Sequence, residues 1–363
     1  MNIYTCYCGN SLFFENSVCL SCYREVGWCP VCKGIHALLP NADGSYTCAN
    51  QQCQAQLVKC HNYAVHDVCN RMIRIESRRN NAVQRCDYCR FNETIPDLSV
   101  QGNIAKWYQL EVAKRRLLFT LDLLKLPYGT KADGFELPLS FDFKADIEPY
   151  TWAWRNIGGG EKVFTGHANG KITINIREAD SIEREKLRVN MGETHRTLIG
   201  HFRHEIGHYY WQLLVQNKEE TSFKAHFGDH QNPSYGAALA QYYRNGPTPG
   251  WQASYISAYA TMHPWEDFAE TWGAYLDMVS VLNTAENAYL LVYERDDRAG
   301  INFDSMIANY LRLGIKVNEV NRAMGLMDIL PEVFSGPVLL KLRYIHSLIH
   351  KARHLVAKEL AFL

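Results

Sequence analysis

A His-Glu-x-x-His motif lies near the middle of the chain, within the run HFRHEIGHYYW that begins at His201. Four residues along an α-helix turn it by about 400°, so His204 and His208 would lie one above the other on one helix face. Two imidazoles in that arrangement can bind one Zn²⁺ ion. Glu205 lies beside them and can take a proton from water and pass it to a leaving amine. The motif therefore predicts metal-assisted hydrolysis of a peptide bond, with Glu205 as the catalytic base.

The motif supplies only two of the three protein ligands that a catalytic zinc ion needs. The segment HPWEDFAETWGAYL, residues 263–276, is the best source of the third, because Glu266 and Glu270 lie four residues apart on one face of a predicted helix. We predict Glu270 as the ligand and Glu266 as a residue that supports the ligands or faces the substrate. The alternative for Glu266 is an exposed acid that complements the helix dipole.

Several other residues near the motif are candidates for supporting roles. His201, one turn before His204, is expected either to support the ligands or to pack against neighbouring residues. Peptide hydrolysis also needs a donor for the developing oxyanion, and we predict Tyr259 for this role, with His263 and Tyr255 as the next candidates. The rival metal ligands are His226, Asp229 and His230.

The chain has 12 cysteines, and all of them lie between Cys6 and Cys89. Three of their six pairs are strict Cys-x-x-Cys steps, and two such turns form a tetrahedral thiolate shell for Zn²⁺. Disulfides seldom persist in a reducing cytosol, which favours metal binding. Taken in chain order, the predicted structural zinc sites are Cys6, Cys8, Cys19 and Cys22; Cys29, Cys32, Cys48 and Cys53; and Cys60, Cys69, Cys86 and Cys89.

Two features of this cysteine-rich region leave alternatives open. A cross-braced pairing, in which alternate pairs share one ion, is possible, and His61 or His66 could replace a cysteine in the third site. The segment 71–85 carries five arginines and one glutamate, which would suit contact with phosphates. We favour a solvated surface instead, because aromatic residues that could stack on bases are absent from it.

The composition is that of a globular protein. The chain has 363 residues, of which 47% are hydrophobic and 21% charged, and its formal net charge is zero. These values argue against a disordered chain and against a polyanion-binding molecule. The sequence shows neither a secretory signal at its start nor a stretch of about 18 apolar residues. We therefore expect a cytoplasmic location and no membrane association.

The pattern of apolar residues predicts an α+β fold with two domains. A helix is expected over 104–126, and the Asn169-Gly170 pair predicts a hairpin that leads into a strand with Ile172, Ile174 and Ile176. A charged helix is expected over 181–192, and the rest of the chain is mostly helical. We place a small β module with the zinc ribbons at 1–95 and a mainly helical domain with a small sheet at 96–363.

The chain resembles the bacterial zinc-binding metallopeptidases that carry zinc ribbons ahead of a zincin-like domain. The resemblance rests on CPVCKG, GHANGKITINI, TLIGHFRHEIGHYYW and SAYATMHPWEDFAETWGAYL, and it covers nearly the entire chain. It implies a gluzincin-like site with His204, His208 and Glu270 as ligands and Glu205 as the base. Cys6-x-Cys8 and the FGDHQNPSYG segment depart from the usual pattern, so no roles are transferred to the latter.

These observations predict a zinc metallopeptidase that acts on a protein or peptide substrate. It would hold one catalytic and about three structural Zn²⁺ ions. The ribbons would recruit or gate the substrate. The alternative is a protein that binds nucleic acid or a protein partner through its ribbons and has an idle or highly restricted zincin domain.

Overall fold

A computed structural model describes residues 1–77, 83–146, 163, 165–180, 197–291 and 302–360, with side chains up to residue 353. The chain forms two compact units, each made of several segments. The first contains Met1–Arg116, Leu139–Thr165 and Thr173–Asp180, and the second contains Leu117–Pro138, Gly166–Ile172 and Ser181–Leu363. The predicted α+β class is confirmed, whereas the division at residue 95 stays a prediction.

The first unit contains the cysteine-rich module, which is built from short antiparallel strands. Strands β1 (Tyr4–Thr5) and β2 (Ser11–Leu12) form a hairpin. A five-stranded antiparallel sheet follows in chain order, and its buried residues Val26, Ile35 and Leu57 form the core of the module. The strands of this sheet are β3 (Val26–Cys29), β4 (Gly34–Pro40), β5 (Tyr46–Cys48), β6 (Gln56–Lys59) and β7 (Met72–Arg74). The short helix α1 (His61–Ala64) follows β6.

A second sheet has four strands in the order β10-β11-β9-β8. Strand β8 (Asn92–Thr94) pairs in parallel with β9 (Ser140–Lys144). Strands β10 (Gly166–Ala168) and β11 (Lys171–Asn175) form the predicted hairpin, and Asn169 and Gly170 both have positive φ angles in its turn. A glycine is required at position 170, because a Cβ there would lie 2.2 Å from the carbonyl oxygen of Pro138.

The helices follow the predicted pattern of mainly helical structure. Helix α2 (Asn103–Leu123) matches the expected segment, whereas the helix predicted over 181–192 lies outside the described residues. The later helices are α3 (Leu198–Leu214), α4 (Glu220–Phe227), α5 (Tyr235–Asn245), α6 (Pro264–Asn287), α7 (Phe303–Ala323) and α8 (Gly336–Leu360). Across the described ranges, none of the helices is long and apolar enough to cross a membrane.

Helices α3 and α6 form the centre of the second unit and carry the predicted site residues. Helix α3 begins after Thr197, whose side-chain oxygen accepts a hydrogen bond from the Gly200 amide (3.0 Å). His263 caps α6 in the same way, and Pro264 occupies its first turn. The two helices come close at Gly207, where a Cβ would lie 2.9 Å from the Cα of Ala269. The glycine inside the motif therefore permits the close approach of the two helices.

Candidate metal centres

The twelve cysteines form three groups of four, each brought together by tight turns. In the second group, the β3–β4 turn carries Cys29 and Cys32, and the β5–β6 turn carries Cys48 and Cys53. The grouping follows chain order, as predicted, rather than a cross-braced pattern. Histidines are not part of these groups, since the third consists of four cysteines. The groups are Cys6, Cys8, Cys19 and Cys22; Cys29, Cys32, Cys48 and Cys53; and Cys60, Cys69, Cys86 and Cys89.

The spacing of the sulfur atoms matches a zinc shell and excludes disulfides. A tetrahedron with Zn–S bonds of about 2.3 Å has edges of about 3.8 Å, whereas a disulfide needs about 2.05 Å. The Sγ atoms of Cys6 and Cys22 lie 3.7 Å apart, and those of Cys29 and Cys53 also lie 3.7 Å apart. In the third group the distance between the Sγ atoms of Cys69 and Cys86 is 3.8 Å. Each group therefore has the chemistry and the dimensions of a structural zinc site.

The three groups differ in burial. All four cysteines of the third group are buried. The second group has two buried and two half-buried members, and in the first group Cys8 is exposed. Solvent access to the thiolates therefore decreases from the first group to the third.

The arginine-rich segment 71–85, which lies between Cys69 and Cys86, is only partly exposed. Arg71 is buried, pairs with Asp87 (2.5 Å) and stacks on the ring of Tyr88. Arg85 donates to the backbone oxygen of Asn92 (3.3 Å). Residues 78–82 lie outside the described part of the chain. The arginines at the two ends of the segment, Arg71 and Arg85, thus bind other groups of the protein itself, which fits a structural role.

The fourth group lies between α3 and α6. His204 and His208 project from one face of α3, and their Nε2 atoms are 3.1 Å apart. The Oε2 atom of Glu266, on α6, lies 3.0 Å from Nε2 of His204 and 3.4 Å from Nε2 of His208. These three side chains form a group that could hold a metal ion.

The dimensions of this group also fit zinc. With Zn–N and Zn–O bonds of about 2.0–2.1 Å, ligand atoms in a tetrahedral shell lie about 3.3 Å apart. Oε2 of Glu266 is buried and has no hydrogen-bond partner among the described residues, which suits an atom that bonds to an ion. Burial opposes ionisation of Glu266, but the imidazoles of His208 and His204 outweigh it and lower the pKa of this carboxyl group. The lowered pKa favours the carboxylate form, which a metal ligand needs.

Glu270 lies on the opposite side of the His204 ring. Its Oε1 is 2.6 Å from Nδ1 of His204, and its Oε2 accepts a hydrogen bond from the hydroxyl of Ser257 (2.7 Å). A carboxylate at Nδ1 orients the ring and directs Nε2 toward the ion. Of the two candidate glutamates, Glu266 faces the ring nitrogens that converge, whereas Glu270, the predicted ligand, faces Nδ1 of His204.

Glu205, the predicted base, directly follows His204 on α3. It is buried, and its Oε2 has no hydrogen-bond partner in the described part of the chain. Burial is the main cause of the raised pKa of Glu205. A carboxylate with a raised pKa and a free acceptor atom is suited to take up a proton.

Tyr259 lies near the group, with its ring 6.1 Å from that of His204. Tyr235 on α5 contacts the group directly, since its hydroxyl donates to Oε1 of Glu266 (2.9 Å). Tyr235 was not among the predicted site residues; it is the second-to-last residue of the FGDHQNPSYG segment and one of 21 tyrosines. The residues around Tyr235 carry no pattern that distinguishes it from the other tyrosines.

The remaining candidates do not belong to this group. His263 caps α6, and the ring of Tyr255 lies 4.2 Å from the ammonium group of Lys341. His201 is half-buried one turn before the motif. The three rival ligands have other surroundings: the His226 ring lies against Tyr344, Asp229 pairs with Lys224, and the His230 ring lies against Trp211.

Comparison with known proteins agrees with this geometry. A zinc-ribbon domain model matches residues 3–100. An uncharacterized protein of Mycobacterium bovis and two uncharacterized proteins of Mycobacterium tuberculosis are each 36% identical to the chain over 350 residues, which cover 94% of this chain and 93% of each relative. Comparison with solved structures yields no match. The model of the family "Putative zinc-binding metallo-peptidase" matches residues 103–348, and the chain belongs to this family, as its sequence predicts.

Proposed function

We propose that this protein is a zinc-dependent endopeptidase whose catalytic ion is held by His204, His208 and Glu266. The observation that carries the proposal is the convergence of three ligand atoms within 3.4 Å of one another from two helices. Three protein ligands leave one position of a tetrahedral shell open, which distinguishes a catalytic site from the closed cysteine sites. With these sites filled, the chain would hold four zinc ions.

The side chains around the site can perform the proton transfers of peptide hydrolysis. When bound, zinc would polarise the scissile carbonyl group and lower the pKa of water. Glu205 would take a proton from the attacking water molecule and deliver it to the leaving amine. The ring of Tyr259 lies 6.1 Å from that of His204, and we propose that its hydroxyl group stabilises the oxyanion.

Strand β10 offers a place for an extended substrate. In the described part of the chain it is one of the two outer strands of its sheet, the other being β8. The ring of His167 in β10 lies 6.1 Å from that of Tyr209, which follows the second metal-binding histidine on α3. A peptide that paired with β10 as an added strand would therefore run past the motif helix.

The zinc-ribbon module is proposed to bind the protein substrate. Large apolar side chains around its first cysteine group are exposed, which is typical of contact surfaces. They are Tyr7, Phe13, Leu20 and Tyr23. Cysteines grouped for metal binding rather than for disulfides are more typical of a reducing compartment, which supports the cytoplasm as the proposed location.

The test combines elemental analysis with cleavage of a mixture of internally quenched peptides. We expect about four zinc ions per wild-type chain and about three when His204 and His208 are both replaced by alanine. Glu205→Gln should retain the fourth ion and lose cleavage by at least about 100-fold, the usual scale of general-base catalysis. Glu136→Gln, at an 83% exposed side chain, is the matched control and should behave as wild type.

Two results would contradict the proposal. One is a wild-type protein with three zinc ions whose content is unchanged in the double histidine variant. The other is cleavage by Glu205→Gln at the wild-type rate.

A further inference from the structure

Helix α5 has almost no hydrophobic core of its own. Of its 11 residues, Ala238 alone is buried, whereas α3 buries ten residues. Residues 243–250, which include the last three residues of α5 and the five that follow it, are all exposed. An isolated helix of this length is marginal in water. The tertiary contacts of α5 therefore decide whether it stays in place.

Two contact points connect α5 to the metal centre. The hydroxyl of Tyr235 donates to Oε1 of Glu266, and the Tyr235 ring lies 5.7 Å from that of Trp265. The Trp265 ring in turn lies 3.8 Å from the ring of His208. Seven residues later, the ring of Tyr242 lies 5.7 Å from that of Tyr259, near His204. The same contacts that hold α5 thus touch or approach all three proposed ligands.

Glycines with positive φ angles lie on both sides of α5. Gly228 ends α4 with a φ of 99°, and Gly246 follows α5 with a φ of 72°. Glycine adopts these angles readily and loses conformational freedom when it does. The segment between them is therefore a lightly packed strap with a glycine at each end.

We infer that Tyr235 is a positioning residue for Glu266 and that the closure of α5 is coupled to metal binding. This inference rests on the ligand assignment made above. The hydroxyl of Tyr235 occupies Oε1 and leaves Oε2 for the ion, so it fixes the orientation of the carboxylate that bonds to zinc. Partners of this kind usually contribute about 10- to 100-fold to metal affinity.

The coupling acts in both directions. If a closed α5 raises the affinity for zinc by some factor, bound zinc must favour the closed state of α5 by the same factor. An opening of α5 would separate Tyr235 from Glu266 and so weaken the binding of the ion.

The test compares Tyr235→Phe with Tyr243→Phe. Both changes remove one hydroxyl group from α5, but Tyr243 is 72% exposed and serves as the matched control. The affinity of the fourth zinc ion is measured by competition with a chelator while the cysteine sites stay filled. We expect about 10- to 100-fold weaker binding for Tyr235→Phe and a change of less than about twofold for the control.

Amide hydrogen exchange of residues 235–245 is a second readout that does not depend on activity. Zinc in the fourth site should slow this exchange in the wild-type protein, and Tyr235→Phe should reduce the slowing. An affinity for Tyr235→Phe within about twofold of wild type, or exchange in α5 that is indifferent to the fourth ion, would overturn the inference. A wild-type protein with only three zinc ions would instead overturn the ligand assignment itself, so the two failures are distinguishable.

Discussion

Gly207→Ala adds a single methyl group inside the motif, at the crossing of α3 and α6. A Cβ at this position would lie 2.9 Å from the Cα of Ala269, 3.1 Å from its carbonyl oxygen and 3.2 Å from the Cβ of Trp272. Two of these neighbours are backbone atoms, which cannot rotate away. Because carbon atoms pack at about 3.5–4.0 Å, the two helices must separate locally by at least about 0.5 Å.

The effect on the metal site should exceed the effect on stability. Overpacking typically destabilises by about 1–3 kcal/mol, and the higher helix propensity of alanine offsets about 1 kcal/mol of that. The net loss is then about 0–2 kcal/mol. Metal ligands, however, tolerate displacements of only about 0.2 Å, and His208 and Glu266 lie on opposite sides of this crossing. We therefore expect the affinity for the fourth zinc ion to fall by at least about tenfold, with the three cysteine sites unaffected.

The assay is chelator competition for the fourth ion, combined with unfolding in denaturant. Gly273→Ala is the matched control, since a Cβ there would lie 3.7 Å from the nearest atom of α3, an ordinary contact. This control should keep the fourth ion and gain up to about 1 kcal/mol from helix propensity. Equal zinc affinity and equal stability of Gly207→Ala and Gly273→Ala would refute the prediction that the helices separate at Gly207.

Three other predictions concern the two glutamates, the cysteine groups and a buried ion pair. Glu266→Ala should lose the fourth zinc ion, whereas Glu270→Gln should retain it with about 10- to 100-fold lower affinity. Equal zinc affinities of the two variants in a chelator titration would contradict the assignment of Glu266 as the ligand. Hydrogen peroxide or a chelator should release zinc first from the exposed first cysteine group and last from the buried third group. Mass spectrometry of the alkylated cysteines would show the order of release. Release in another order would refute this prediction. Lys341→Met removes the ammonium group that pairs with the buried Asp267 at 2.6 Å. It should destabilise the protein by about 3–5 kcal/mol in a denaturation experiment. In the same experiment the control Lys351→Met, at a surface ion pair, should change stability by less than about 1 kcal/mol.

Much of the fold was predictable because the relevant signals are local. Cysteine pairs in tight turns are close in the chain, and the structure groups them in chain order. The hairpin at Asn169-Gly170 and the long helix that begins at Asn103 likewise depend on nearby residues. The motif helix and its Thr197 cap follow from local spacing as well.

The assignment of the two glutamates could not be made from the sequence. Glu266 and Glu270 are four residues apart on one helix face, so local geometry treats them alike. The crossing of α3 and α6 breaks this equivalence, because it directs Glu266 to Nε2 of His204 and Glu270 to Nδ1 of the same ring. Tyr235 reaches Glu266 across 31 positions of the chain. The sequence by itself determined which residue types can bind zinc, since that depends on local spacing and chemistry. Only the tertiary structure decided which of them meet, because contacts between distant segments depend on how helices pack.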